Sequence, residues 1–195
     1  MSFLQFVRSD RLNPSRRAFL GESGLILSAS AVALLAGCEN LAAAQKNSDG
    51  AGGNDVAILN TALGAEREAI AAYQLGADSG LLEPGVKIVA LKFQGHHKAH
   101  ADVLAATVSK LGGHPVEAKN KYEFPVEKLK NQTDVLRFAA QLEQGAVSAY
   151  LGAVPAFGNR DLARAAASIL GDEAMHWAIL RNVLGEDPVP AAFVG

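Results

Sequence analysis

The chain has 195 residues, of which 49% are hydrophobic and 6% aromatic, and this composition favours one all-α domain over a β-sandwich or barrel. Its 18 basic and 20 acidic side chains give a net charge of -2 without a basic stripe, so no nucleic acid partner is expected. The single cysteine excludes an internal disulfide framework and a cysteine-based metal cluster. A metal ion would therefore depend on carboxylates and on the five histidines.

The first part of the chain has the features of an export signal. A basic amino end precedes the apolar run Leu25–Gly37, which is shorter than the roughly 20 residues that span a bilayer. The segment Ser15–Leu20 contains Arg16 and Arg17 and resembles the twin-arginine signature, although Gly21 stands where that pattern often has lysine. We therefore expect export through the twin-arginine translocase.

The apolar run ends at Leu35–Cys38, which resembles the lipobox of bacterial lipoproteins and holds the only cysteine. We expect residues 1–38 to form the signal peptide and Cys38 to receive the lipid, which makes the protein a membrane-anchored lipoprotein of the cell envelope or periplasm. The alternatives are an ordinary buried cysteine, or cleavage after Ala42–Ala44 that releases a soluble periplasmic protein. Residues 39–53 are small and polar without a hydrophobic period, and we interpret them as a flexible tether.

Residues 54–195 contain four amphipathic segments that predict helices. The first is capped at Asn54 or Asp55 and ends near Ala77–Gly80, and the second runs from Pro84 to Leu111. The third runs from Asn131, Thr133 or Asp134 to about Ala153, and the fourth runs from about Asn159 or Asp161 to Leu184. The connections are short, long and short. We therefore expect two antiparallel helix hairpins joined by a long crossover over residues 112–132.

The two halves of this region resemble each other, which indicates an internal repeat. Residues 66–73 align with residues 143–150, and residues 95–104 align with residues 171–180. The alignment pairs Glu66 with Glu143, Tyr73 with Tyr150, His97 with Glu173, and His100 with His176. The halves therefore place ligating side chains at matching positions.

The apolar stripe of each predicted helix is interrupted only by glutamate and histidine. A lone ionised carboxylate in such a core costs several kcal/mol, so it must be neutralised, paired or bound to a metal ion. One glutamate from each of two helices and a Glu-x-x-His pair from each of the others is how some four-helix bundles hold two iron or manganese ions. The candidate metal ligands are Glu66, His97, His100, Glu143, Glu173 and His176.

The pattern differs from that two-metal set at His97, where a glutamate is usual. Three glutamates then face the four positive charges of two divalent ions, and a second ion should bind more weakly or not at all. An alternative register pairs Gln94 with His97, but the repeat favours His97 with His100. Tyr73, Tyr150 and Gln94 are expected around the ligands, the tyrosines as hydrogen-bond donors, and His96 is assigned to the surface. A satisfied network of glutamate and histidine without metal remains the alternative.

Four segments carry a resemblance to a known family. They are Asp55–Leu63, Glu143–Gly152, Ile169–His176 and the tail Asp187–Phe193. With them, residues 55–195 resemble the secreted ferritin-like domain of many bacteria and of desiccation-related proteins. The resemblance implies an all-α, ferritin-like four-helix bundle with room for a di-metal centre, and no settled activity.

Two functions are consistent with these features. The first is an exported, lipid-anchored protein that binds one or two ions of iron or manganese in the bundle core, with O₂ or peroxide-linked redox activity left open. The alternative is a non-catalytic envelope scaffold that protects against stress or binds a partner. The anchor and tether disfavour an iron-storage shell, and a homodimer is left open.

Overall fold

The computed structural model describes residues 51–194, and this part of the chain forms four α-helices and no strand. The helices are α1 at Ala51–Asp78, α2 at Pro84–Lys110, α3 at Gln132–Ala153 and α4 at Arg160–Val183, with short 3₁₀ turns at Val126–Lys128 and Val154–Ala156. The predicted all-α fold of two hairpins joined by a long crossover is confirmed. The expected export signal, Cys38 and most of the tether lie outside the described residues.

Local sequence signals account for several helix ends. The side chain of Asn131 caps α3 by accepting a hydrogen bond from the backbone N–H of Asp134 at 3.0 Å. Asn159 caps α4 in the same way, through the backbone N–H of Asp161 at 2.8 Å. Just beyond α4, Gly185 has a φ of +75°, a left-handed conformation that glycine adopts without a steric penalty.

The start of α1 differs from the prediction, because the helix begins at Ala51 rather than at Asn54. The side chain of Asn54 donates a hydrogen bond to the 3₁₀ turn after α3. The buried carboxylate of Asp55 accepts hydrogen bonds from the backbone N–H groups of Gly158 and Asn159 at 2.8 and 3.0 Å. These two side chains, expected to cap α1, instead tie its first turns to the connection between α3 and α4.

Helix packing leaves one side of the bundle more open than the others. Close backbone contacts join α1 to α2, α3 to α4 and α1 to α3, whereas the backbones of α2 and α4 stay farther apart. Two buried apolar clusters stabilise the bundle, one around Leu63 and Val108 and one around Phe93 and Leu180. Within residues 51–194, no helix is both long and apolar enough to cross a membrane.

Candidate metal centre

A layer of polar side chains lies between the two apolar clusters. It contains all six ligands expected from the sequence, namely Glu66 from α1, His97 and His100 from α2, Glu143 from α3, and Glu173 and His176 from α4. Five of these residues are at most 3% exposed, and His100 is partly buried. The helical period therefore turns every predicted ligand toward the interior.

The six side chains form two overlapping groups of ligating atoms. One group is Glu66, His97, His100 and Glu173, and the other is His97, Glu143, Glu173 and His176. Within each group the ligating atoms lie within 4.8 Å of one another. His97 and Glu173 belong to both groups, while each group has one further glutamate and one further histidine of its own. This is the arrangement expected of two neighbouring ion positions that share ligands.

The two shared residues are oriented toward both groups. The Nδ1 atom of His97 lies 2.8 Å from Glu66 Oε2, and its Nε2 atom lies 3.3 Å from Glu143 Oε1. The Oε1 atom of Glu173 lies 3.1 Å from His100 Nδ1, and its Oε2 atom lies 3.5 Å from His176 Nδ1. Glu173 thus presents one carboxylate oxygen to each outer histidine.

The two tyrosines connect the halves of the bundle across this layer. Tyr150 on α3 donates a hydrogen bond to Glu66 Oε1 on α1 at 2.6 Å. Tyr73 on α1 donates one to Glu143 Oε1 on α3. Each tyrosine therefore holds the glutamate of the other half, which restricts the orientation of both carboxylates.

Five buried side-chain atoms of the described residues have no hydrogen-bond partner. They are His100 Nδ1, Glu143 Oε2, both carboxylate oxygens of Glu173, and His176 Nδ1. Buried polar atoms are normally paired, since leaving one unpaired costs about 1–3 kcal/mol. All five belong to the candidate ligands, and imidazole nitrogen with carboxylate oxygen is a donor set that suits iron and manganese. The residues therefore fit a transition-metal site.

In the absence of a metal ion, the three histidines of the layer are cationic at neutral pH. Burial lowers the pKa of His97, but hydrogen bonds with Glu143 and Glu66 outweigh burial and raise that pKa to about 11. Burial also lowers the pKa of His100 and of His176, but the negative charges of nearby glutamates outweigh burial and raise both pKa values to about 9. Metal ions that bind these imidazoles must therefore displace protons.

We expect the metal-free bundle to be most stable between about pH 4.5 and 6.5. The folded-state pKa values of the histidines exceed the ordinary value of 6.5. Their contribution to the free energy of unfolding is therefore complete below pH 6.5 and is lost as the pH rises through about 9 and about 11. The pKa values of Glu66 and Glu143 are lowered from 4.5, so their contribution is lost as the pH falls through the lowered values. Urea unfolding of chelator-treated protein across this pH range measures the effect. Stability that rises between pH 6.5 and about 9 would contradict it.

His96 corrects the sequence prediction, because its side chain is not simply on the surface. It is 37% exposed, and its Nδ1 atom lies 3.0 Å from Asp172 Oδ2 and 2.9 Å from His176 Nε2. These three residues form a further group of ligating atoms at the edge of the layer. Asp172 adds a fourth carboxylate there, which reduces the charge deficit expected from three glutamates. The available signal was the repeat, since residues 95–104 and 171–180 align His96 with Asp172.

Gln94 was expected beside the ligands, but its side-chain hydrogen bonds go to other residues. Its Nε2 atom donates to Ile70 O and to Gln74 Oε1, both at 3.0 Å, and its Oε1 atom accepts from Lys98 Nζ at 2.9 Å. The side chain is turned toward the closely packed α1 and is satisfied there. This placement favours His97 and His100, rather than Gln94 and His97, as the α2 pair.

Comparison with known proteins agrees with the fold of residues 54–186. The model of the ferritin-like domain family matches residues 54–186. The chain belongs to the ferritin-like domain family. Among solved structures, this ferritin-like chain is similar to a conserved hypothetical protein from Mycobacterium tuberculosis, with 26% sequence identity, a TM-score of 0.64, and coverage of 74% of this chain and 99% of that chain.

A second structure, from Bacillus anthracis strain Ames, is described as ferritin like, diiron-carboxylate proteins. It shares 20% sequence identity with this chain at a TM-score of 0.61, over 70% of this chain and 99% of that chain. At that level of identity the likeness shows the fold. No curated protein matches the chain.

Proposed function

We propose that this ferritin-like protein binds two transition-metal ions, iron or manganese, in the core of its bundle. The observation that carries the proposal is the set of five buried, unpartnered atoms, all of them on side chains of the two overlapping ligand groups. The description of the Bacillus anthracis structure as diiron-carboxylate supports it. The ligands would be Glu66, His97, His100, Glu143, Glu173 and His176.

Iron or manganese ions held here would supply O₂ or peroxide-linked redox chemistry. The chain would contribute a buried layer whose glutamates and histidines hold and orient the ions. Tyr73 and Tyr150 restrict the carboxylates of the two outer glutamates through their hydrogen bonds. His96 and Asp172 lie between this layer and solvent, where they can pass protons to and from His176.

Elemental analysis of the full-length chain, purified without chelator, tests metal binding. We expect about two ions of iron or manganese per chain. The double variant Glu143→Ala with His176→Ala should lose at least the ion of its own ligand group, whereas Glu117→Ala, a change on the exposed surface, should keep both ions. Unchanged metal content in the double variant would refute the proposal.

The alternative function is a non-catalytic envelope scaffold without a functional metal site. One observation favours it, since His97 lies 2.8 Å from Glu66 and 3.3 Å from Glu143 and can pair with both carboxylates without metal. This function predicts that the purified chain unfolds cooperatively and holds no metal even after iron, manganese and zinc are added. The elemental analysis therefore separates the two functions.

We further propose that the protein is exported by the twin-arginine translocase and anchored by a lipid on Cys38, as the sequence predicts. Changing Arg16 and Arg17 to lysine should retain the protein in the cytoplasm, because the translocase reads the arginine pair. Cys38→Ser should move it from the membrane fraction to the soluble fraction, because the lipid has no attachment point. Cell fractionation in a bacterium with this translocase measures both effects, with Arg8→Lys as the control. Membrane retention of the Cys38→Ser variant would contradict the lipid anchor.

A further inference from the structure

An apolar cavity of about 230 Å³ lies at the end of the bundle where α1 ends and α2 begins. Side chains from all four helices line it, none of them is charged, and the one polar side chain among them is Tyr73. The lining offers water few hydrogen-bond partners, and an engineered apolar cavity of about 150 Å³ in another protein binds benzene. The cavity therefore has the size and chemistry of a site for an apolar molecule.

A single layer of side chains separates this cavity from the candidate metal ligands. Tyr73 and Phe93 both line the cavity, and their rings meet edge to face at a centroid distance of 6.2 Å. On their other side, Tyr73 donates a hydrogen bond to Glu143, and the ring of Phe93 stacks on His176 with centroids 4.0 Å apart. A molecule in the cavity would thus touch residues that touch the ligands.

The cavity has a path to solvent on the open side of the bundle. Three of its apolar lining side chains are exposed, Val89 on α2 at 37% and Ile179 and Val183 on α4 at 43% and 48%. They belong to the two helices whose backbones stay apart. A small molecule can therefore enter between α2 and α4.

We propose that this cavity binds a small, neutral, apolar molecule of about the size of naphthalene. A charged group would lose its hydration there without gaining a partner, so anions and cations are excluded. Binding itself does not depend on metal. The further step, that the bound molecule is the substrate of the neighbouring site, rests on the proposed function.

Calorimetric titration with naphthalene tests binding, using the chelator-treated, full-length chain carrying Cys38→Ser so that no lipid competes. We expect saturable binding of one molecule per chain. Ala139→Phe or Ala90→Phe should weaken it by more than about tenfold, because the added ring fills the cavity. The matched control Ala106→Phe adds the same ring at an exposed position of α2 and should leave binding unchanged. Replacing naphthalene with 1-naphthalenesulfonate should weaken binding by more than about tenfold.

Several results would overturn the proposal. The first is the absence of saturable naphthalene binding, which includes the case in which a second copy or the chain's own residues cover the opening. The second is equal affinity for naphthalene and its sulfonate. The third is unchanged affinity for naphthalene in a filling variant that circular dichroism shows to be folded. Two filling variants on different helices are used because one of them can fail to fold, and the comparison of naphthalene with its sulfonate needs neither variant.

Cobalt(II) separates failure of the cavity from failure of the metal site. If cobalt binds and naphthalene changes its visible absorption in the parent but not in the Ala139→Phe variant, the two sites are adjacent and the substrate assignment is supported. Naphthalene binding with an unchanged cobalt spectrum would refute that assignment and leave the cavity as a binding site. Failure of cobalt to bind would count against the metal site alone, because the titration of metal-free protein has already tested the cavity.

Discussion

Replacing Glu173 with alanine is expected to remove both metal ions, with a loss of affinity of at least about 100-fold at each position. The reason is geometric, since Glu173 belongs to both ligand groups and its two unpartnered oxygens face different histidines. Elemental analysis after equilibrium dialysis measures the loss. Glu173→Gln keeps the side-chain volume and removes the charge, so it distinguishes loss of the ligand from collapse of the layer.

Glu66 provides the matched comparison, because it belongs to one group only. Glu66→Ala should remove one ion and leave the other bound through Glu143, Glu173 and the histidines. The Glu117→Ala variant, which changes an exposed side chain, should keep both ions. If the Glu173 and Glu66 variants lost the same number of ions, Glu173 would not be shared between two positions.

Replacing His97 with leucine is expected to destabilise the metal-free bundle by about 3–5 kcal/mol, because it removes one partner of buried ion pairs. His97 lies within hydrogen-bonding distance of Glu66 and Glu143, and those hydrogen bonds raise its pKa to about 11 against the effect of burial. Leucine has a similar volume, so the change tests charge rather than packing. Urea unfolding of chelator-treated protein near pH 6 measures the free energy of unfolding.

The control for this substitution is His114→Leu, since His114 is exposed in the crossover. The gap in stability between the parent and the His97 variant should narrow as the pH rises above 6.5, because the contribution of His97 is lost between that value and about 11. A change below about 0.5 kcal/mol at pH 6 would show that His97 does not balance the buried carboxylates.

Much of the fold, and the position of the candidate ligands along the bundle, follow from helical periodicity. Residues three apart on a helix project from the same face, so Glu173 and His176 point inward together once α4 packs through its apolar stripe. The same reasoning applies to Glu66 and Glu143, and the repeat adds the histidine pair on α2. These inferences need only the turn of one helix, and that turn is a local property.

The edges of the site depend on how neighbouring helices are spaced. His96 is one residue from His97, so it is turned about 100° around α2, and periodicity alone directs it away from the apolar stripe. In the structure it meets Asp172 and His176 across the open side between α2 and α4. Gln94 shows the converse, because α1 packs closely on α2 and satisfies its amide there.

Local helix geometry and the two-fold repeat were enough to predict the four helices and the inward position of the six candidate ligands and the two tyrosines. Three features could not be predicted in this way: the hydrogen bonds of Tyr73 and Tyr150 to the glutamates of opposite halves, the position of Asp172 and His96 at the edge of the layer, and the apolar cavity. Each of these features depends on the distances and crossing angles between helices that are far apart in the chain. Side-chain packing over the whole bundle sets those distances and angles.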